Sequence, residues 1–221
     1  MMMDKLNRYL FIVMLPVLLS ACNPDYAIVE IYTSDVQLAK EGEVIEVPAQ
    51  FKFETFGEGE QDSLKKATEI AKLYLPEDTE YSMSESSMGS VLVVDTTIPM
   101  GTSSAVGDYV RSTRSPLYVE VSGDVIYLRE SFYLEEFSTA IEGIDFMMSL
   151  DMPASQTTIR VVSDSRDLQN VGAIAVFVSE QAHLLYEKQI KRRESVNMVF
   201  KGASESVYSS VPVQFMLQPA N

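Results

Sequence analysis

The chain has 221 residues, 32 of them acidic and 17 basic, for a net charge of −15, with a single cysteine and no tryptophan. A body that acidic repels DNA, RNA and anionic headgroups at long range, which disfavours nucleic-acid binding. One thiol excludes an intramolecular disulfide and a Cys-type zinc site, while an apolar content of 46% makes a packed core feasible.

The first 21 residues read as a secretory leader. Lys5 and Arg8 precede a near-continuous apolar run, Tyr9 to Leu19. That run is too short to span a bilayer as a helix, and Pro16 breaks it. Leu19-Ser20-Ala21-Cys22 follows. These four residues resemble the lipobox of bacterial lipoproteins. The resemblance implies a diacylglyceryl thioether on Cys22, cleavage before it, and a mature protein that starts there. Asn23 is not the aspartate that retains such proteins in the inner membrane, so the resemblance further implies a cell-envelope protein on the outer membrane. Removing the leader, which holds Asp4, Lys5 and Arg8, leaves 15 basic and 31 acidic residues and a net charge of −16. Residues 22–26 then form a short lipidated tether. Its three or four residues reach about 10–14 Å when extended, which keeps the body at 27–221 close to its membrane.

The body opens on a strand signal, Ala27 to Tyr32. Val44 to Phe56 alternates, with Phe51 and Phe53 on one face and Lys52 and Glu54 on the other. Gly57-Glu58-Gly59-Glu60 breaks it. Leu64, Ala67, Ile70, Ala71 and Tyr74 recur at helical spacing, which predicts a helix over 63–75 that ends at Pro76. Val91 to Val94 reads as a buried strand with a partner near Tyr81 to Glu85. Residues 96–115 are rich in Ser, Thr, Gly and Pro and read as a long loop or a lobe boundary. Leu117 to Val121 and Val125 to Arg129 form the clearest hairpin, turned by Ser122-Gly123-Asp124. Leu134, Phe137, Ile141, Ile144 and Met148 predict a second helix. Strands follow at 157–162, 171–178, 196–200 and 211–217, while Ala182 to Arg193 fits either a helix or a strand. The expected fold is α+β, mainly antiparallel strands with about two helices and two small lobes.

Few groups suit catalysis. His183 is the only histidine; it sits beside Leu184 and Leu185, and the chain has no Gly-x-Ser-x-Gly or Ser-x-x-Lys nucleophile motif. A packed or surface role is expected for it. A lone histidine also makes a catalytic zinc site unlike the known ones, so no metal and no cofactor are expected. Carboxylates are abundant: Glu130, Glu135, Glu136, Asp145 and Asp151 cluster near Phe132, Tyr133 and Phe137. A solvated helix face is expected there; a facing pair across a cleft would instead suit glycan hydrolysis. Glu58, Glu60 and Asp62, and Asp164 and Asp167 around Ser165 and Arg166, do not match the spaced oxygens of a calcium loop. Gly101, Gly107 and Gly123 are scattered and build no phosphate cradle.

The unusual segment is 188–193. Lys188, Lys191, Arg192 and Arg193 gather 4 of the 15 mature basic residues into six positions. Against so acidic a body they form a local dipole, suited to lipid headgroups, lipopolysaccharide phosphate or an acidic partner protein. The expectation from sequence is a membrane-anchored envelope lipoprotein with a non-catalytic binding or structural role. Its partners are the membrane, through the N-terminal lipid, and another envelope protein. A carboxylate-dependent glycan enzyme and a phage-exclusion lipoprotein are the alternatives.

Overall fold

The computed structural model describes residues 25–55, 59–85, 89–144, 156–200 and 213–220. The leader, Cys22 and residues 23 and 24 of the tether lie outside the described residues.

Among the described residues, eleven strands and four short helices make up the regular structure. In chain order they are β1 (Asp25–Tyr32), α1 (Thr33–Lys40), β2 (Ile45–Thr55), α2 (Glu60–Ala71), β3 (Glu80–Glu85), β4 (Ser90–Gly101), α3 (Ser103–Thr113), β5 (Leu117–Ser122), β6 (Val125–Glu130), α4 (Tyr133–Glu142), β7 (Gln156–Val162), β8 (Gln169–Val178), β9 (Gln181–Ile190), β10 (Ser195–Phe200) and β11 (Val213–Pro219). Nine strands close into a barrel in the order β10-β7-β1-β2-β4-β5-β6-β11-β8, sealed by the pairing of Val199 with Phe177. β3 and β9 pair onto β4 and β8 outside that ring.

This overturns the α+β expectation. Strands take 53% of the described residues, so the protein is mainly β, with four helices rather than two and one continuous sheet in place of two lobes. Residues 96–115 hold the second half of β4 and all of α3. Local sequence concealed α3 because only Val106 and Val110 are buried on it, among Ser, Thr and Gly. Likewise α1 buries only Thr33, Val36 and Ala39. Such weak stripes fall below what periodicity detects, and packing on the barrel supplies the stability that propensity does not.

Alternation explains the strands. β2 buries Val47, Ala49, Phe51, Phe53 and Thr55 and exposes or half-exposes the residues between them. The paired β4 buries Leu92, Val94, Ile98 and Met100. Two prolines sit within this pair without breaking it. Pro48 lies just past the last pairing with β1, at Ala49, and Pro99 falls between β3, whose pairing ends at Asp95, and β5, whose pairing starts at Met100. A residue with no N–H is tolerated where no neighbour needs a donor. The β5–β6 turn uses Gly123 at φ +61, a conformation that suits glycine.

β4, α3 and β5 form a parallel crossover, with α3 packed on both strands. α1 packs on β1, β2, β4 and β5, and α2 packs on β2, β4 and α4. Phe53 of β2 meets Phe137 of α4 edge-on at 6.1 Å, and Tyr74 packs on Phe137 at 5.2 Å. One continuous cluster of buried side chains therefore joins the barrel to its helices.

Candidate functional site

Among the described residues the candidate catalytic groups are dispersed. His183 lies on β9 opposite Val176, half-buried, with its ring edge-on to Tyr186 at 5.3 Å. Among the described residues no hydroxyl or carboxylate hydrogen-bonds that ring, so the triad arrangement is not built.

The carboxylates near the fourth helix point to structural tasks. Glu130 ends β6, while Glu135 and Glu136 occupy the first turn of α4, where the helix dipole favours negative charge. Glu136 accepts two hydrogen bonds from Arg114, at 2.9 and 3.2 Å. The Arg114 guanidinium lies 5.3 Å from the Tyr74 ring and 5.4 Å from the Tyr133 ring, which ties the C-terminus of α3 to α4. Burial pushes the Tyr74 hydroxyl up, and its hydrogen bond to Glu136 adds to the rise. Asp145 and Asp151 lie outside the described residues.

The two acidic loops are likewise committed. Glu60 accepts from Ser90 at 2.7 Å and Asp62 pairs with Lys65 at 3.5 Å, both from the first turn of α2; Glu58 lies outside the described residues. Asp164 reaches across from the turn after β7 to the N-terminus of α1. It accepts hydrogen bonds from Thr33 Oγ1 at 2.9 Å, Ser34 N at 2.9 Å and Ser34 Oγ at 2.5 Å. α1 has no side-chain cap of its own, so Asp164 supplies one from 130 residues away. Partial burial works against the ionised form of Asp164, but the bonds from Ser34 and Thr33 outweigh it and lower its pKa. Asp35, in the same helical turn, is raised by burial and by the charge of Asp164. Arg166 and Asp167 are exposed on the far side of that turn. No group of three or more metal-ligating side chains occurs among the described residues.

Open grooves lie on the sheet surface among the described residues. The first, of about 380 Å³, runs over β1, β2 and β4 and is lined by Glu30, Asp78, Glu80 and Asp95. Its acids are partly occupied: Glu30 pairs with Arg160 at 3.0 Å, and Asp95 accepts from Gln50 at 2.7 Å. The second, of about 390 Å³, lies along β11, β8 and β9 and includes Gly172, Glu187, Lys188 and Met216.

This second groove borders the basic segment singled out from sequence. Lys188 projects from β9, while Lys191, Arg192 and Arg193 make the turn into β10. The backbone of that turn is fixed: Arg193 N donates to Ser163 O at 2.6 Å, and Lys191 N donates to the Glu194 carboxylate at 3.0 Å. All four side chains are exposed, and none enters an ion pair among the described residues.

The same hairpin carries a feature that sequence reasoning missed. Leu184 is 83% exposed, Leu185 64% and Ile174 49%. Ala175 has φ +52, a left-handed backbone on a residue with a side chain. Around it two consecutive residues on each strand, Ile174 and Ala175 on β8 and Leu184 and Leu185 on β9, face solvent. The signal was present in the sequence: adjacent leucines break a two-residue alternation, which is why the segment also fitted a helix.

No protein family, curated protein or solved structure matches this chain.

Proposed function

We propose that this protein is a lipid-anchored lipoprotein of the bacterial envelope that binds another envelope component without catalysing a reaction. The leader and Cys22 support the anchor, through the lipobox they resemble. The observation that carries the binding role is the outer strand β9, which pairs with β8 on one side and has no strand on the other among the described residues. An open strand edge is a ready surface for main-chain recognition. Of the described carboxylates, Glu136, Glu30, Asp62 and Asp164 are engaged with Arg114, Arg160, Lys65 and the α1 terminus.

Two measurements test the reading. Intact mass of the mature protein should show acyl chains on Cys22, and Cys22→Ser should release the body from membranes, since stable attachment needs those chains. Crosslinking in intact envelopes, with the lipidated protein as bait, should capture a defined partner. A free thiol, a membrane-bound Cys22→Ser product or the absence of any crosslinked partner overturns it.

A further inference from the structure

We propose that the outer edge of β9 is the binding site itself, and that it takes an added strand from an extended acidic segment of the partner. This rests on the binding role above and names its ligand class.

Four features converge on that edge. First, it is long: Gln181–Ile190 pairs with β8 at every position except Leu184 and leaves its other side open among the described residues. Second, its centre is apolar. β9 presents Leu184 and Leu185 there and contains no proline, and its two charged residues, Glu187 and Lys188, are confined to its C-terminal half. Third, the ladder is interrupted beside the leucines. Ala175 has φ +52, at a cost of about 1 kcal/mol, and it falls at the one step, opposite Leu184, where β8 and β9 do not pair.

The fourth feature is charge. Lys188, Lys191, Arg192 and Arg193 line the C-terminal end of this edge without ion pairs among the described residues. Acidic residues outnumber basic ones two to one in the mature chain, so a segment that stays at +2 over 187–194 with Glu187 and Glu194 counted marks a local field of opposite sign. A broad polyanion such as nucleic acid or an anionic bilayer would also meet the −16 body. A single extended strand meets only its immediate surroundings, because charges beyond about 8 Å are screened at physiological salt.

We take the added strand as antiparallel, as β8 is on the other side of β9; its N-terminal part then lies beside the C-terminal part of β9. The ligand class is thus a segment whose carboxylates come first, beside Lys188 to Arg193, followed by alternating apolar residues beside Leu185 and Leu184.

The test uses the mature lipidated protein in detergent micelles and a fluorescent peptide, Asp-Glu-Asp followed by alternating Val and Thr. Three controls accompany it: the same peptide with Lys in place of its acids, the same peptide N-methylated on alternate residues, and the variant K188Q/K191Q/R192Q/R193Q. The acidic peptide should bind, with affinity falling steeply as salt rises. The basic peptide should not bind, N-methylation should abolish binding, and the Gln variant should weaken it by about tenfold or more. Equal binding of the N-methylated peptide would show a charge contact without strand addition and overturn the proposal. So would no binding at all, or a protein dimer dissolved by Leu184→Lys, in which a second copy holds the edge. The Gln and Leu184→Lys variants are also used as bait in the envelope crosslinking experiment. Capture that survives both overturns this edge as the site and leaves the binding role standing.

Discussion

Asp164 is the residue whose removal reports most directly on how this barrel is assembled. It caps α1 through three hydrogen bonds that span 130 residues of sequence. Replacing it with alanine leaves Ser34 N and the hydroxyls of Thr33 and Ser34 without that acceptor. Loss of a helix cap costs about 0.5–2 kcal/mol, and hydrogen bonds to an ionised group lie at the upper end of the usual range. Asp164 is solvent-exposed, so water replaces part of what is lost, and about 1.5 kcal/mol is the expected cost. For a domain of this size, unfolding entropy near the midpoint is about 0.4 kcal/mol/K, so Tm should fall by about 3–4 °C. Asp164→Asn keeps an acceptor oxygen and should lose about half as much. The effect depends on pH with a definite sign. The folded-state pKa of Asp164 is lowered, so its contribution is complete above the ordinary carboxylate pKa of about 4 and vanishes as pH falls through the folded value. Urea unfolding followed by circular dichroism, at neutral pH and at pH near 3, measures both terms. Equal stability of Asp164→Ala and the parent protein at neutral pH would refute the capping argument. A difference that persists undiminished in acid would refute its electrostatic basis.

The neighbouring Asp35 should behave oppositely. Its pKa is raised by burial and by Asp164, so its ionisation disfavours the fold as pH rises; Asp35→Asn should raise Tm at neutral pH, with the gain disappearing below about pH 4. Phe137→Ala removes a fully buried ring that joins α4 to Phe53 and Tyr74 and should cost about 3–5 kcal/mol, read as a large drop in urea midpoint. Arg160→Ala breaks the exposed pair with Glu30 between the parallel strands β1 and β7; the loss should be under about 1 kcal/mol and disappear in high salt. Glu136→Gln removes a charge that helps hold the Tyr74 hydroxyl above its ordinary range, so ultraviolet titration should show a tyrosine moving down in pH.

Much of the strand content is legible without the fold. The alternation of Phe51 and Phe53 with Lys52 and Glu54, and the turn at Gly123, follow from side-chain direction and backbone freedom within a few residues. The strand signals at 27–32, 44–56, 117–121, 125–129, 157–162, 171–178 and 196–200 all coincide with strands. The basic turn is equally plain, because charge needs no partner to be counted.

What the sequence determined by itself is local: strand periodicity, hairpin turns and a cluster of cations in an acidic chain. Tertiary structure decided the rest. Whether strands belong to two lobes or one barrel depends on pairings such as β1 with β7 and Phe177 with Val199, which join residues far apart in the chain and leave no local mark. α1 and α3 bury too few apolar groups to announce themselves and form because the barrel wall and, for α1, the distant carboxylate of Asp164 complete them. The same holds for the β9 edge: adjacent leucines are ambiguous in a string of letters and become a surface only once β8 covers one side of their strand and nothing among the described residues covers the other.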